Sequence, residues 1–419
     1  MTAPAPHRPL SVRAINRAGA GLRRLGLPLF PLREELLLRT ARKATGLEDF
    51  GGEGFREGLR RLLESLNGEA RLNFLGRVAA TAQLRDNLIT RLRVRDHRKR
   101  HPGVAEQEIR KPLFILGLPR TGTTVLFNLL AQDPGTRAPL SWEVQYPCPP
   151  PRADGSGADS RIEKTQQQFA NLSRVAPGLE AIHEFGAELP QECVAITGHE
   201  FMSVQFHILF NVPGYQEWLD RQRFVPALQY HRRFLQHLQS ERSGERWVLK
   251  SPGHLAVLAD LLEVYPDARI VHTHRDPVAA MPSLASLSCS LRGIGSDAVD
   301  PRFVGRQQVE LWEAHLRRAM RARDRSRDRA QQFFDVQCED VARSPIEVIE
   351  RIYAHFDIPF RDEARERMRA FLAANPRGQH GPHRYCLEDF GLDHATERAR
   401  FADYCERFEI PTRADPGRG

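Results

Sequence analysis

The apolar run KPLFILGL (111–118) passes without a break into Pro119-Arg120-Thr121-Gly122-Thr123-Thr124, and then into VLFNLLAQD. A run of this kind fits a strand buried on both faces, and the segment after the turn fits a helix. A glycine-bearing turn from strand into helix is an anion cradle. Backbone N–H groups converge there, and the helix dipole favours negative charge. Gly122 permits close backbone approach, Thr123 and Thr124 add hydroxyl donors, and Arg120 adds a cation. Gly117 and Gly122 have the spacing of the G-x-x-x-x-G-K-[ST] loop, but Thr123 stands where that loop has lysine. Without the lysine a triphosphate is disfavoured, and a ligand with less charge to neutralise fits better. The structural alternative is a tight turn that holds nothing.

A second anion site is spelled by ARIVHTHR (268–275) and the residues after it. Asp276 suits a helix cap and Pro277 the first helical position. Arg275 then stands at a strand's carboxyl end, and Ser283 follows about two turns into the helix. An arginine and a hydroxyl so placed can bracket a phosphate. The competing reading is a salt bridge at Arg275 and a plain cap at Ser283. Pro282 should kink or shorten the helix just before Ser283. Between the two sites, RWVLK ends in Lys250. A lysine at a strand end beside an anion cradle can stabilise charge on a leaving oxygen.

Together, G-x-P-R-T-G-T-T after an apolar strand and R-D-P…S after another resemble the two nucleotide elements of sulfotransferases that use 3′-phosphoadenosine 5′-phosphosulfate (PAPS). The segment K-x-P-x-x-L from Lys250 is similar to the sequence-divergent, bacterial branch related to the tyrosylprotein sulfotransferases. The resemblance covers roughly residues 111–390. It implies that Arg120, Thr121, Gly122, Thr123 and Thr124 hold the 5′-phosphosulfate, that Arg275 and Ser283 hold the 3′-phosphate, and that Lys250 and Arg120 assist the leaving phosphate. Cytosolic members carry a catalytic histidine two residues after the lysine. Here that position is Pro252, so His254 is the nearest histidine. Glu143 is the other candidate base, since divergent members use a glutamate from this part of the chain. It follows Ser141-Trp142 at the end of an apparent second strand, TRAPLSW. Cys338 occupies a position where many members have an aromatic residue near adenine. Residues 381–385 match a loop of bacterial members that closes over the nucleotide.

The elements that must position these residues alternate. Apolar runs KPLFILGL, TRAPLSW, RWVLK, ARIVHTHR and FFDVQ are separated by helical stretches. In HLAVLADLLEVY, for example, Leu255, Leu258, Leu261, Leu262 and Tyr265 share one side. Such alternation predicts an α/β fold, a P-loop-like doubly wound parallel sheet flanked by helices, with ligands at the strands' carboxyl ends. Residues 1–108 read as a helical N-terminal region, with Leu59, Leu62, Leu63 and Leu66 at helical spacing. The α/β domain follows over 109–395. Within it, 161–245 is a helical insertion that would cover the acceptor site, and 396–419 reads as a C-terminal tail.

The formal charge of +8 suits an anionic ligand, nucleic acid or an anionic membrane. Much of the excess is arginine scattered on helical faces, which disfavours nucleic acid. The basic, amphipathic stretch around Ile15–Leu25 suits either a packed surface helix or peripheral membrane contact. None of the six cysteines lies in a C-x-x-C pair, and no Asp/Glu/His cluster suggests a metal site. No apolar core of a signal peptide and no span of roughly 18–20 apolar residues is present, so a cytoplasmic protein is expected. A P-loop kinase or hydrolase, and a non-catalytic nucleotide- or membrane-binding protein, are the alternatives. The acceptor is not legible.

Overall fold

In the computed structural model, residues 9–25, 30–152, 159–177, 185–242, 244, 246–376 and 386–411 are described. Four of the five apolar runs form strands where expected: β1 (Leu113–Gly117), β3 (Arg246–Lys250), β4 (Arg269–His274) and β5 (Phe333–Gln337). The fifth, TRAPLSW, does not. Only Thr136–Arg137 pairs, as β2, and Ser141–Gln145 is a short helix. Pro139 has no N–H for a ladder, and the backbone N–H groups of Ser141 and Trp142 donate instead to the carbonyls of Leu189 and Ala187.

The sheet is parallel throughout, in the order β2-β3-β1-β4-β5. The central strand β1 is buried along its whole length, as a strand covered on both faces must be. The chain leaves β1 towards the β2 edge and leaves β4 towards the β5 edge, so the gap beyond the carboxyl ends of these two neighbours is a topological switch point. The residues expected to bind anions stand at this edge.

The N-terminal region forms α1 (Leu10–Arg24), α2 (Glu34–Thr45), α3 (Phe55–Gly68) and the long α4 (Phe74–Arg100). It is not a separate body. Leu59, Leu62 and Leu66 of α3 share a core with Phe201, Phe206 and Tyr215 of the insertion. Arg91 of α4 forms a buried ion pair with Glu200. Residues 394–411, partly expected as a tail, also belong to the main core. Helices His394–Arg400 and Ala402–Arg407 bury Phe401, Tyr404 and Ile410 against the sheet. The physical reason is apolar periodicity in a segment whose charge masks it. Residues 1–8, 381–385 and 412–419 lie outside the described residues. No described helix is long and apolar enough to cross a membrane.

Candidate active site

The cradle expected after β1 is built as a strained turn. Arg120 (φ 70°) and Gly122 (φ 84°) both take the left-handed region, and α5 (Thr123–Leu130) starts immediately after Gly122. No side chain caps α5, so its first N–H groups point to the sheet edge unsatisfied, ready for an anion. Arg120 and Thr124 are exposed there, whereas Thr123 is buried. Thr121 is fully buried. Its hydroxyl lies 2.6 Å from both the Leu118 carbonyl and the Thr273 hydroxyl, so it latches the loop to β4. Gly117 (φ 150°) makes that latch possible, because a Cβ there would lie 2.2 Å from the Thr273 Oγ1.

Register carries Lys250 to the same place. Lys250 pairs with Ile115 of β1, and its Nζ donates to the Thr124 hydroxyl at 3.2 Å. The same ammonium forms an ion pair with Glu192. Glu192 ends the segment 187–191, whose Leu189 and Ala187 carbonyls accept from the start of α6 (Ser141–Gln145) and whose Gln191 N–H donates to Pro139. Lys250 is almost wholly buried, and the Glu192 side chain is 21% exposed. Glu192 was not legible as a site residue. It lies in a helical insertion without a motif, and only the fold brings it to Lys250.

Arg275 extends β4 beyond its pairing with β1, and its Nη1 donates to the Arg120 carbonyl at 2.8 Å. Asp276 caps the following helix (Pro277–Gly295) through the Val278 N–H, and Arg398 grips its carboxylate with two bonds. Pro282 does not shorten the helix, which runs on through it to Gly295. Pro282 removes one donor from a helix whose buried face is rich in small and apolar residues, and packing holds it. Ser283 stands half-buried on the first part of that helix.

The two candidate bases are both buried. Glu143 does not end a strand. It lies on α6 with 1% of its side chain exposed. One oxygen accepts from the Leu140 N–H at 3.0 Å and the other from Arg137 at 3.2 Å. Both oxygens are therefore occupied in capping α6 and balancing a buried arginine, whose own pKa burial pulls down. His254 is buried edge-on to Phe114, with Nε2 unpartnered. Desolvation lowers its pKa to about 3. It lines a small cavity of about 150 Å³ with Val194 and Leu228.

One group of three metal-ligand types does come together among the described residues: His272, His274 and Asp335. Adjacent strands β4 and β5 put them on one face. Asp335 already accepts from His274 at 2.9 Å and from both guanidinium arms of Arg323, and the Tyr404 hydroxyl meets the other His274 nitrogen at 2.8 Å. With an arginine as the counter-ion of Asp335, the pair of His274 and Asp335 serves as a polar clasp for the C-terminal helices, while both ring nitrogens of His272 lie buried without a hydrogen-bond partner.

A larger cavity of about 880 Å³ opens between α2, α4 and the residues after α6. Leu36, Leu37, Ile89, Tyr146, Pro147 and Cys148 form much of its apolar wall.

Comparison with known proteins agrees with this architecture. Among solved structures, sulfotransferase STF1 from Mycobacterium tuberculosis H37Rv is 32% identical, with a TM-score of 0.79 over 88% of this chain and 98% of that one. Sulfotransferase STF9 from Mycobacterium avium is 29% identical, with a TM-score of 0.84 over 91% and 98%. The omega-hydroxy-beta-dihydromenaquinone-9 sulfotransferase Stf3 of Mycobacterium bovis is 26% identical over 288 residues, 62% of this chain and 66% of that protein. The chain thus spans just under two thirds of that relative's length. The profile of the sulfotransferase family matches residues 112–362, which hold the cradle, Lys250 and Arg275. On that match and this fold, the chain belongs to the sulfotransferase family.

Proposed function

We propose that the chain moves a sulfuryl group from PAPS to the hydroxyl of an apolar, lipid-like alcohol. The observation that carries this reading is Lys250, which touches Thr124 at the head of the uncapped helix and the Glu192 carboxylate at once. The α5 amides, Thr124, Arg120 and Lys250 would hold the phosphosulfate end. Arg275 and Ser283 would hold the 3′-phosphate. When bound, PAPS supplies the sulfuryl group: an S–O bond to the acceptor forms as the bridging S–O bond breaks, leaving 3′,5′-bisphosphoadenosine. Lys250 and Arg120 set positive charge against the negative charge that grows on the departing phosphate. Glu192 takes the acceptor's proton. Its Oε1 faces Lys250, which leaves Oε2 for the acceptor hydroxyl. Glu192 replaces Glu143 in this role because both Glu143 oxygens are committed inside the fold.

Two observations support a lipid-like acceptor. The 880 Å³ cavity has an apolar wall, and its residues Gln145 to Cys148 begin at the far end of α6, roughly 7.5 Å along the helix from the segment that leads to Glu192. The name of Stf3 also specifies an omega-hydroxy-beta-dihydromenaquinone as that protein's substrate. The test is transfer of labelled sulfate from PAPS to polyprenols, hydroxylated quinols, simple phenols and sugars. Product on the long-chain alcohols supports the reading. Preference for the phenols or sugars would overturn the acceptor class, and nucleotide binding without any turnover would overturn the activity.

A further inference from the structure

Residues 1–33 hold six arginines and no carboxylate. Within them α1 lies along α4 by a narrow seam. Val12, Asn16 and Gly19 are its buried positions, spaced for one helix face. Asn16 accepts from the Leu75 N–H at 3.1 Å, and Gly19 sits so close to Phe74 that a Cβ would overlap its ring. The opposite face is apolar and open. Leu10, Ala14, Ala18 and Leu22 follow one another at four-residue spacing, all exposed, with Ile15 beside them. Arg13 and Arg17 are exposed along one margin and have no carboxylate partner among the described residues.

This exposure is concentrated. Leu10 (80%), Ile15, Leu22, Leu25 (77%) and Phe30 are five of the six large exposed hydrophobic residues described, and the sixth, Phe303, lies on the helix Pro301–Arg325. A helix roughly 22 Å long that turns its apolar stripe outward, edged by two exposed arginines without a carboxylate partner among the described residues, has the form of an interfacial helix. The charge selects the occupant. A second copy of this chain would bring the same unbalanced arginines against them, whereas an anionic bilayer neutralises them and takes up the apolar stripe. Phe30, at the end of this surface, is also part of the wall of the 880 Å³ cavity.

We propose that the outer face of α1 docks the protein on an anionic membrane surface. Docking stands apart from the choice of acceptor and holds whatever alcohol is sulfated. It sets α1 flat on the lipid with its seam towards α4, and it turns the Phe30 side of the cavity towards the bilayer. The test is flotation of the full-length protein with vesicles of phosphatidylcholine and phosphatidylglycerol, and with vesicles of phosphatidylcholine alone. The expected result is binding to the anionic vesicles that weakens with added salt and is at least about tenfold weaker on neutral ones. Ile15→Glu/Leu22→Glu and Arg13→Glu/Arg17→Glu should each lower binding by about tenfold or more. Phe303→Glu should not lower it. All variants should keep the parent's binding of 3′,5′-bisphosphoadenosine, which separates lost docking from lost folding. Equal binding to both vesicle types would overturn the proposal. So would no binding to either, or light scattering that shows a dimer abolished by Ile15→Glu/Leu22→Glu in a protein that does not float.

Discussion

Lys250 and Glu192 meet at the carboxyl edge of the sheet although 58 positions separate them in sequence. One sits on a buried strand, the other at the end of a segment that runs beside α6. The pair lies next to Thr124, where the cradle turns into a helix. The proposed chemistry depends on that meeting.

Exchange of the two glutamates separates reaction from architecture. Glu192→Gln should lower kcat by about a hundredfold or more, the scale of a lost general base, while calorimetry shows 3′,5′-bisphosphoadenosine binding unchanged. Glu143→Gln should act on stability instead. It leaves Arg137 as a buried charge without its counter-charge, which destabilises by about 3 kcal/mol or more. Denaturant midpoints and kcat for both variants decide the matter, and a reversed pattern would return the base to Glu143.

For Lys250 and Arg120, replacement by alanine should lower kcat by about a hundredfold each, the scale of one lost transition-state donor. Lys250→Ala also frees Glu192 from its partner, so its effect should exceed that of Arg120→Ala. Single-turnover rates are the readout. A near-normal rate in either variant removes that residue from the reaction centre.

On the proposed reading, nucleotide choice rests on Arg275. Arg275→Ala should weaken 3′,5′-bisphosphoadenosine about tenfold to a hundredfold, the equivalent of about 1.5 to 3 kcal/mol for one charge-assisted contact. Adenosine 5′-monophosphate should be weakened far less. Titration calorimetry with both nucleotides tests this, and equal losses would show that Arg275 acts only by bracing the Arg120 carbonyl.

Acid should destabilise the fold through its buried histidines. Burial lowers the pKa of His199, His207, His231 and His254 from 6.5 to about 3. Between those values the unfolded chain binds protons that the folded chain refuses, so stability rises with pH across the window and falls as pH drops below 6.5. Urea midpoints measured down that range should decline steadily. A flat profile would mean that these imidazoles are solvated.

Much of this was legible in sequence, for definite reasons. The central strand β1 is legible because a strand covered on both faces is apolar throughout, the strands β3, β4 and β5 because short runs with apolar residues stand between helical stretches, and the turn after β1 because Gly122 is required by its backbone. TRAPLSW has the length and punctuation of a short strand, so the sequence puts Glu143 at a strand end, whereas it lies on a helix. What breaks the strand is Pro139 and the competition of the Leu189 and Ala187 carbonyls for its N–H groups, and that competition comes from a segment far along the chain. Glu192 carried no local signal at all, since its partner is set by strand register. Thr121 belongs to the loop that the resemblance marks as the phosphosulfate site, and nothing local in the sequence says that its side chain is buried. Its burial follows from Thr273, again a residue on another strand.

The stitching between β1 and β4 has a consequence for selectivity. Gly117 lets the strands close on Thr273, the Thr121 and Thr273 hydroxyls bond across them, and Arg275 holds the Arg120 carbonyl. On the proposed reading the two anion sites are therefore the fixed jaws of a calliper. Neither can move to meet a phosphate that lies short or long of its place. A nucleotide with its second phosphate on the neighbouring ribose oxygen carries the same charge but has a different span, and this gauge rejects it by length.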